Sequence, residues 1–329
     1  MLEYVDRTGT DSCKWDGLME TFGADGLLPL WVADMDFKVD KCVSDAIADY
    51  MSTGVFGYYV IPESYYEAFI DWERDRHGFT VERDWIRYSP GVVCGFNFAV
   101  QVLTDPGDAV IVTTPVYYPF LHAVENNSRR LICSELVRQD GRYYVDFEDF
   151  EKKITENDVK AFILCSPHNP VSRVWSPEEL RRMLDICRRH DVAVISDEIH
   201  HDLTFAGSVH TPTLSVAETG DRIIMFTAAS KTFNIAALRN SFVVIPDPEV
   251  RAAWDKFMTG LRLSMGSPMG YIATEAAYRH GSEWLSEVKD VIYGNYQYIK
   301  GRVRETSAGG HHDSSRGDIS RVGGFRRLP

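Results

Sequence analysis

Five short apolar, β-rich runs recur along the middle of the chain: Val110–Thr114, Ala161–Cys165, Val192–Ser196, Ile223–Thr227 and Ser241–Ile245. Such runs read as strands buried on both faces, the pattern of a parallel sheet covered by helices. Between the second and third lies Ser176–His190, with Ser176 as N-cap, Pro177 at the first helical position and Glu179 at the capping-box position. Strand, capped helix, strand is a βαβ unit, and the chain is therefore expected to be an α/β protein with a mostly parallel sheet and helices on both faces. Farther on, Trp284, Val288, Ile292, Ile299 and Val303 recur at near-helical spacing. They predict a long amphipathic helix that carries the chain toward a second domain.

Composition narrows the function classes. A chain of 329 residues has room for two domains, and 44% hydrophobic against 25% charged residues excludes a disordered chain. With 35 Lys+Arg against 48 Asp+Glu the net charge is −13. Phosphate backbones and anionic membranes would repel it, so neither nucleic acid nor a membrane is an expected partner. The opening Met1–Arg7 is charged where a signal peptide needs an apolar run, and no apolar stretch approaches bilayer length. Six cysteines lie scattered without a C-x-x-C pair and read as reduced thiols, so a cytoplasmic protein is expected.

Chemistry gathers where the strands end. Lys231, in Thr227-Ala-Ala-Ser-Lys-Thr-Phe-Asn, follows the fourth run among small and hydroxyl residues. Desolvation there would lower its pKa and make it a Schiff-base nucleophile, although a lysine is far more often a solvated surface group. Asp197 ends the third run, at the edge of an open α/β sheet where ligands collect. It could hold a protonated pyridine nitrogen, or simply cap a helix. Asn169, in Cys165-Ser-Pro-His-Asn-Pro, either makes a turn or donates to a ring hydroxyl of a cofactor. Ser89-Pro-Gly-Val-Val-Cys-Gly runs into an apolar helix whose free amides could cradle a phosphate.

In this order, Gly-rich helix start, Thr114-Pro-Val-Tyr-Tyr-Pro, Asn169-Pro, Asp197-Glu-Ile-His and Ser230-Lys231, the chain resembles the fold-type I pyridoxal-phosphate enzymes. Lys14-Trp-Asp, Trp31-Val-Ala-Asp-Met-Asp-Phe, His168-Asn-Pro-Val and Ser230-Lys-Thr-Phe-Asn-Ile-Ala make it similar to the cystathionine β-lyase-like carbon–sulfur lyases, neighbours of the class I/II aminotransferases. The resemblance covers roughly Tyr4 to Arg304. It implies pyridoxal 5'-phosphate as cofactor, with Lys231 as the Schiff-base lysine, Asp197 on the pyridinium nitrogen and Asn169 on the ring oxygen. It places His200 near that oxygen, where many relatives carry tyrosine, and Tyr117 stacked on the ring. Ser230, the amides near Val93 and Cys94, and Arg239 would hold the phosphate. Tyr58 would reach the phosphate of a neighbouring subunit, so a homodimer is the expected unit. Ser172 and Ala237 stand where relatives often have glycine, and neither removes a catalytic group.

Other constellations lose. His200-His201-Asp202 and His311-His312-Asp313 carry metal-ligand residue types, but adjacent residues rarely chelate one ion, and no further Cys/His pair has finger spacing; no metal is expected. No G-x-G-x-x-G or Walker A sequence points to a nucleotide enzyme. Tyr65, Tyr66, Phe69 and Trp72, at helical spacing, read as core.

The resemblance implies a carbon–sulfur β-lyase that acts on a small sulfur amino acid and releases thiol, pyruvate and ammonia. An aminotransferase, or a cofactor-binding protein without turnover, are the alternatives. The expected organisation is an N-terminal arm over 1–40, a large cofactor-binding domain over 41–277 and a long helix over 278–305. The segment 306–329 is rich in Gly, Ser and Arg, lacks apolar periodicity and is expected to be disordered. The resemblance implies a small α+β domain there, with an arginine for the substrate carboxylate; 306–329 is too short and has the wrong pattern for it, so the small domain is expected to be incomplete. A frameshift near Arg304–Ser307 is the expected cause: Asp318–Phe325 written GAC ATA TCT CGT GTG GGT GGA TTT and read one base on gives the strand-like Thr-Tyr-Leu-Val-Trp-Val-Asp.

Overall fold

A computed structural model describes residues 2–24, 26–205 and 207–306, together with two short strands beyond them. The strands are β1 (Ile86–Ser89), β2 (Ala109–Thr114), β3 (Arg130–Glu135), β4 (Val137–Gln139), β5 (Arg142–Tyr144), β6 (Val159–Cys165), β7 (Ala193–Asp197), β8 (Ile223–Thr227), β9 (Ser241–Val244), β10 (Gly310–His312) and β11 (Gly323–Phe325). Seven of them form one sheet in the order β1-β9-β8-β7-β6-β2-β3, while β4 pairs with β5 and β10 with β11. Of 306–329, expected to be disordered, Thr306 ends the helix Ser282–Thr306 and the two terminal strands are described, while the other residues lie outside the described ones; the expected frameshift site, Arg304–Ser307, falls at the end of that helix.

All five apolar runs are strands of the central sheet. From β3 through β2, β6 and β7 to β8 every pairing is parallel. The fifth run departs from that pattern, because β9 lies antiparallel to both β8 and β1. After β8 the chain makes only the short helix Ala229–Thr232 and the 3-10 turn Ala236–Leu238, and so turns back without a covering crossover helix. β1, antiparallel to β9, then runs in the same direction as β8.

Burial on both faces explains the apolar runs. One face packs Val110, Val112, Ile163, Ile195 and Ile224 against the helix Val92–Leu103 and the helix Pro248–Leu261. The other packs Ile111, Phe162, Leu164 and Val194 under the helices Phe147–Asn157 and Pro177–Arg189. The capping box of Pro177–Arg189 forms as expected, with Glu179 N donating to Ser176 Oγ at 3.2 Å and Ser176 N to Glu179 Oε2 at 2.8 Å. Glu179 also accepts two 2.6 Å bonds from Arg173, a guanidinium that burial would otherwise strand.

Tyr65, Phe69 and Trp72 of the helix Glu63–His77 are buried with Phe242 of β9 and with Tyr278, while Tyr66 is half-buried, so three of the four aromatics of the stripe are core. The long helix spans Ser282–Thr306, with Trp284, Leu285 and Val288 buried and Tyr298 and Ile299 exposed.

The parallel strands end at one edge, and the helix Val92–Leu103, which follows β1, begins there. Gly91 caps it at φ 101°, a conformation that favours glycine. One turn on, a Cβ at Gly95 would lie 2.5 Å from Phe226 Cε1 and 3.0 Å from Ser89 Oγ. Glycine therefore lets the helix rest directly on β8. Gly95→Ala is expected to cost about 1–3 kcal/mol by overpacking, read as a lower urea midpoint; an unchanged midpoint would contradict this contact.

Candidate functional site

The strand edge collects the residues singled out in the sequence. Asp197 closes β7 and pairs in register with Cys165 on β6 and Phe226 on β8. Asn169 N donates to Cys165 Sγ at 3.3 Å, and Asn169 O accepts from Tyr117 N at 3.0 Å, so the loops after β2 and β6 are fastened together. Ser230 and Lys231 occupy the one-turn helix after β8. Val93 and Cys94 are the second and third residues of the helix Val92–Leu103, where N–H groups find no acceptor within the helix. Arg239 is exposed in left-handed backbone, and its carbonyl accepts from Tyr88 Oη at 3.2 Å. Tyr58 is fully exposed on the segment Val55–Val60, away from any packing within its own chain.

Burial sets the electrostatics. Lys231 is half-buried, which lowers its pKa although Asp34 and Asp197 pull it upward. Asp197 is 5% exposed, and burial pushes its carboxyl up to about 7 against the Ile199 amide at 3.1 Å and the Lys231 charge. The carboxylate is thus short of positive charge. A protonated pyridine nitrogen facing it would supply that charge and bring it down. His200 is buried and pushed down to about 3, first by burial and then by the charges of Lys231 and His201, so it stays neutral. Tyr117 is half-buried and raised to about 12 by burial, with Tyr118 and Asp197 adding to it. Asp197, His200, Lys231 and Tyr117 therefore share one electrostatic neighbourhood.

Several site residues escaped the sequence reading. Lys231 Nζ donates to Ala33 O at 3.2 Å, so the segment Trp31–Phe37 lies across the lysine. Asn234 clamps that segment: its Oδ1 accepts from Met35 N at 2.9 Å and its Nδ2 donates to Met35 O and Phe37 O at 3.0 and 3.1 Å. Lys14, 8% exposed in its side chain, reaches Asp36 at 2.7 Å and Asp34 at 3.3 Å, and Arg7 reaches Asp34 at 2.8 Å. The motifs Lys14-Trp-Asp and Trp31–Phe37 were visible in the sequence; that they fold onto Lys231 was not.

The donor set fits a flat, phosphate-bearing pyridine. It offers an amine of lowered pKa, a buried acid short of a cation, an aromatic face at Tyr117, and a hydroxyl and helix amides for an anion.

The family model for class I and II aminotransferases matches residues 27–317. The chain is 42% identical to the cystathionine beta-lyase PatB of Bacillus subtilis over 88% of its own length and 75% of that protein. Its fold is similar to cystalysin of Treponema denticola, whose structure contains pyridoxal 5'-phosphate, with TM-score 0.91 and 36% identity over 96% of this chain and 81% of that one. It is also similar to the pyridoxal-phosphate-bound C-S lyase of Staphylococcus hominis, with TM-score 0.90 and 32% identity over 96% and 80% of the two chains.

The raised carboxyl of Asp197 has a signed consequence for the cofactor-free protein. Below about pH 4 the group is protonated folded and unfolded alike; from there to about 7 only the unfolded chain ionises, so stability falls with rising pH and levels off above 7. Asp197→Asn removes this loss. Its melting temperature relative to wild type is expected to climb between pH 4 and 7 and then stay level, and a difference that does not change with pH would contradict the buried acid.

Proposed function

The chain belongs to the class I and II aminotransferase family, and we propose that it is a pyridoxal-phosphate-dependent carbon–sulfur β-lyase of the cystathionine β-lyase type. What carries the reading is Lys231, an amine of lowered pKa beside the buried Asp197, in a chain 42% identical to a protein named for that activity. The substrate class is a cysteine S-conjugate such as cystathionine.

Bound pyridoxal phosphate supplies an electron sink for charge developing at the α-carbon of the amino acid. Asp197 would hold the proton of the pyridine nitrogen, and its burial strengthens that pairing. Tyr117 would support the face of the ring, while Asn169, with His200 beside it, would bind the ring oxygen. Ser230 Oγ, the amides of Val93 and Cys94, and Arg239 would hold the phosphate. Lys231 Nζ, whose pKa burial lowers, would take the α-proton of the substrate. The Cβ–S bond then breaks, its electron pair leaves with sulfur as thiolate, and the three-carbon remainder takes up water to give pyruvate and ammonia.

Tyr58, exposed on its own chain, would complete the phosphate site of a second copy, which makes the working unit a homodimer. The large domain would span 41–277, with 1–40 as an arm across the site and 278–305, mostly the helix Ser282–Thr306, as the segment leaving it. No helix among the described residues is long and apolar enough to cross a membrane. The reading places the enzyme in the cytoplasm.

Given cystathionine and cofactor, the purified chain is expected to release pyruvate and a thiol in equal amounts, and Lys231→Ala to lose about 10²–10⁴ of that rate. Consumption of the amino donor that depends on an added keto acid, without pyruvate, would replace the lyase by a transaminase. Tyr58→Phe is expected to loosen the cofactor while sedimentation still gives two chains; a monomeric wild type with full cofactor occupancy would contradict the shared site.

A further inference from the structure

The loop that carries Asp197 and His200 has a second face, which the reaction does not use. His201 and Asp202 turn into the packing against the helix Glu63–His77. Glu73 and His77 lie one turn apart on that helix, and each offers a ligand atom within 4.8 Å of the other and of His201. His201 Nε2 is 3.7 Å from Glu73 Oε1. The two oxygens of Asp202 lie 3.0 Å from His77 Nε2 and 3.0 Å from His201 Nε2. The four side chains are sealed, His77 at 6% exposure and the others at 1% or less. Glu73 Oε1 points into the group with no hydrogen-bond partner, which a buried carboxylate oxygen seldom tolerates.

We propose that Glu73, His77 and His201, with Asp202 beside both imidazoles, form a structural binding site for a zinc-class divalent cation. The donor chemistry selects the ion: two imidazoles with carboxylates suit zinc, whereas calcium and magnesium prefer oxygen ligands. The spacing agrees, because ligands about 2.0–2.1 Å from a tetrahedral zinc stand about 3.3 Å from one another, and His201 Nε2 and Glu73 Oε1 stand 3.7 Å apart, near that edge. The outer contacts needed to orient such ligands are present. Thr227 Oγ1 lies 2.9 Å from His201 Nδ1, which directs Nε2 toward the group. Trp72 Nε1 and Thr232 Oγ1 donate to Asp202 at 3.1 and 2.8 Å.

The three ligands are sealed from solvent, so the ion would hold structure and not activate a nucleophile. It would tie the helix Glu63–His77 to the loop after β7 and, through Thr232, to the turn that bears Lys231. Adjacent residues such as His200–Asp202 cannot make this site by themselves; the helix supplies the missing half, a pairing that linear spacing does not reveal. The site stands independently of the lyase reading, since its test measures metal and not turnover.

Buried ligands take their ion as the chain folds. The test protein is therefore the cofactor-loaded full chain, grown with added zinc, washed with a chelator and analysed for metals by mass spectrometry. About one zinc per chain surviving the wash is the expected result, falling about tenfold or more in Glu73→Gln and in His77→Gln while the cofactor's visible absorbance persists. Less than a tenth of an equivalent of any transition metal in folded, cofactor-loaded wild type would overturn the site, whether or not the variants fold. So would variants that retain the wild-type zinc content.

Discussion

A charge buried at the end of a strand must be faced by opposite charge or give up its own. The segment Asp197–Asp202 meets that demand on two sides. Toward the strand edge, burial raises Asp197 more than the Ile199 amide and the Lys231 charge lower it, and this shortage of positive charge makes it a holder for a protonated ring. Toward the interior, Glu198 accepts from Ser196, Thr213 and His210, while Asp202 gathers Trp72, His77, His201 and Thr232. The reactive face is open in its electrostatics because the rear face is bolted.

The rest of the fold keeps Lys231 in register with that acid. The parallel strands β6, β7 and β8 fix the spacing of the loops, and glycine at position 95 lets the helix Val92–Leu103 press against Phe226, so its amides begin beside the lysine turn. From the other side, Asn234 pins the segment Trp31–Phe37, and Ala33 O accepts from Lys231. Lys14 and Arg7 neutralise the two aspartates of that segment. An amine held in this way meets its substrate without further ordering, which is the entropic part of catalysis.

The sheet was legible wherever burial on both faces had written an apolar run, and the order of motifs at the run ends exposed Lys231, Asp197 and Asn169. Two strands of the central sheet were not read. β1, Ile86–Ser89, and β3, Arg130–Glu135, are edge strands with polar and charged residues, and an edge needs no continuous apolar run. The reversal of β9 was equally silent, because direction is decided by the connection and not by the strand. Contacts between distant segments escaped for a common reason. Nothing in local spacing joins Asn234 to Met35, or Glu73 and His77 to His201, since only the folded sheet brings these segments together. The capping box at Ser176 and Glu179, by contrast, is a local device and was readable at once.

The central claim is that Lys231 is the amine that takes the cofactor. Borohydride reduction of the cofactor-loaded chain, followed by tryptic digestion and mass spectrometry, tests it most directly. The account predicts a pyridoxyl phosphate mass on Lys231 within the uncut fragment Ile223–Arg239. The same mass on another lysine, or none on a chain that binds the cofactor, would contradict it.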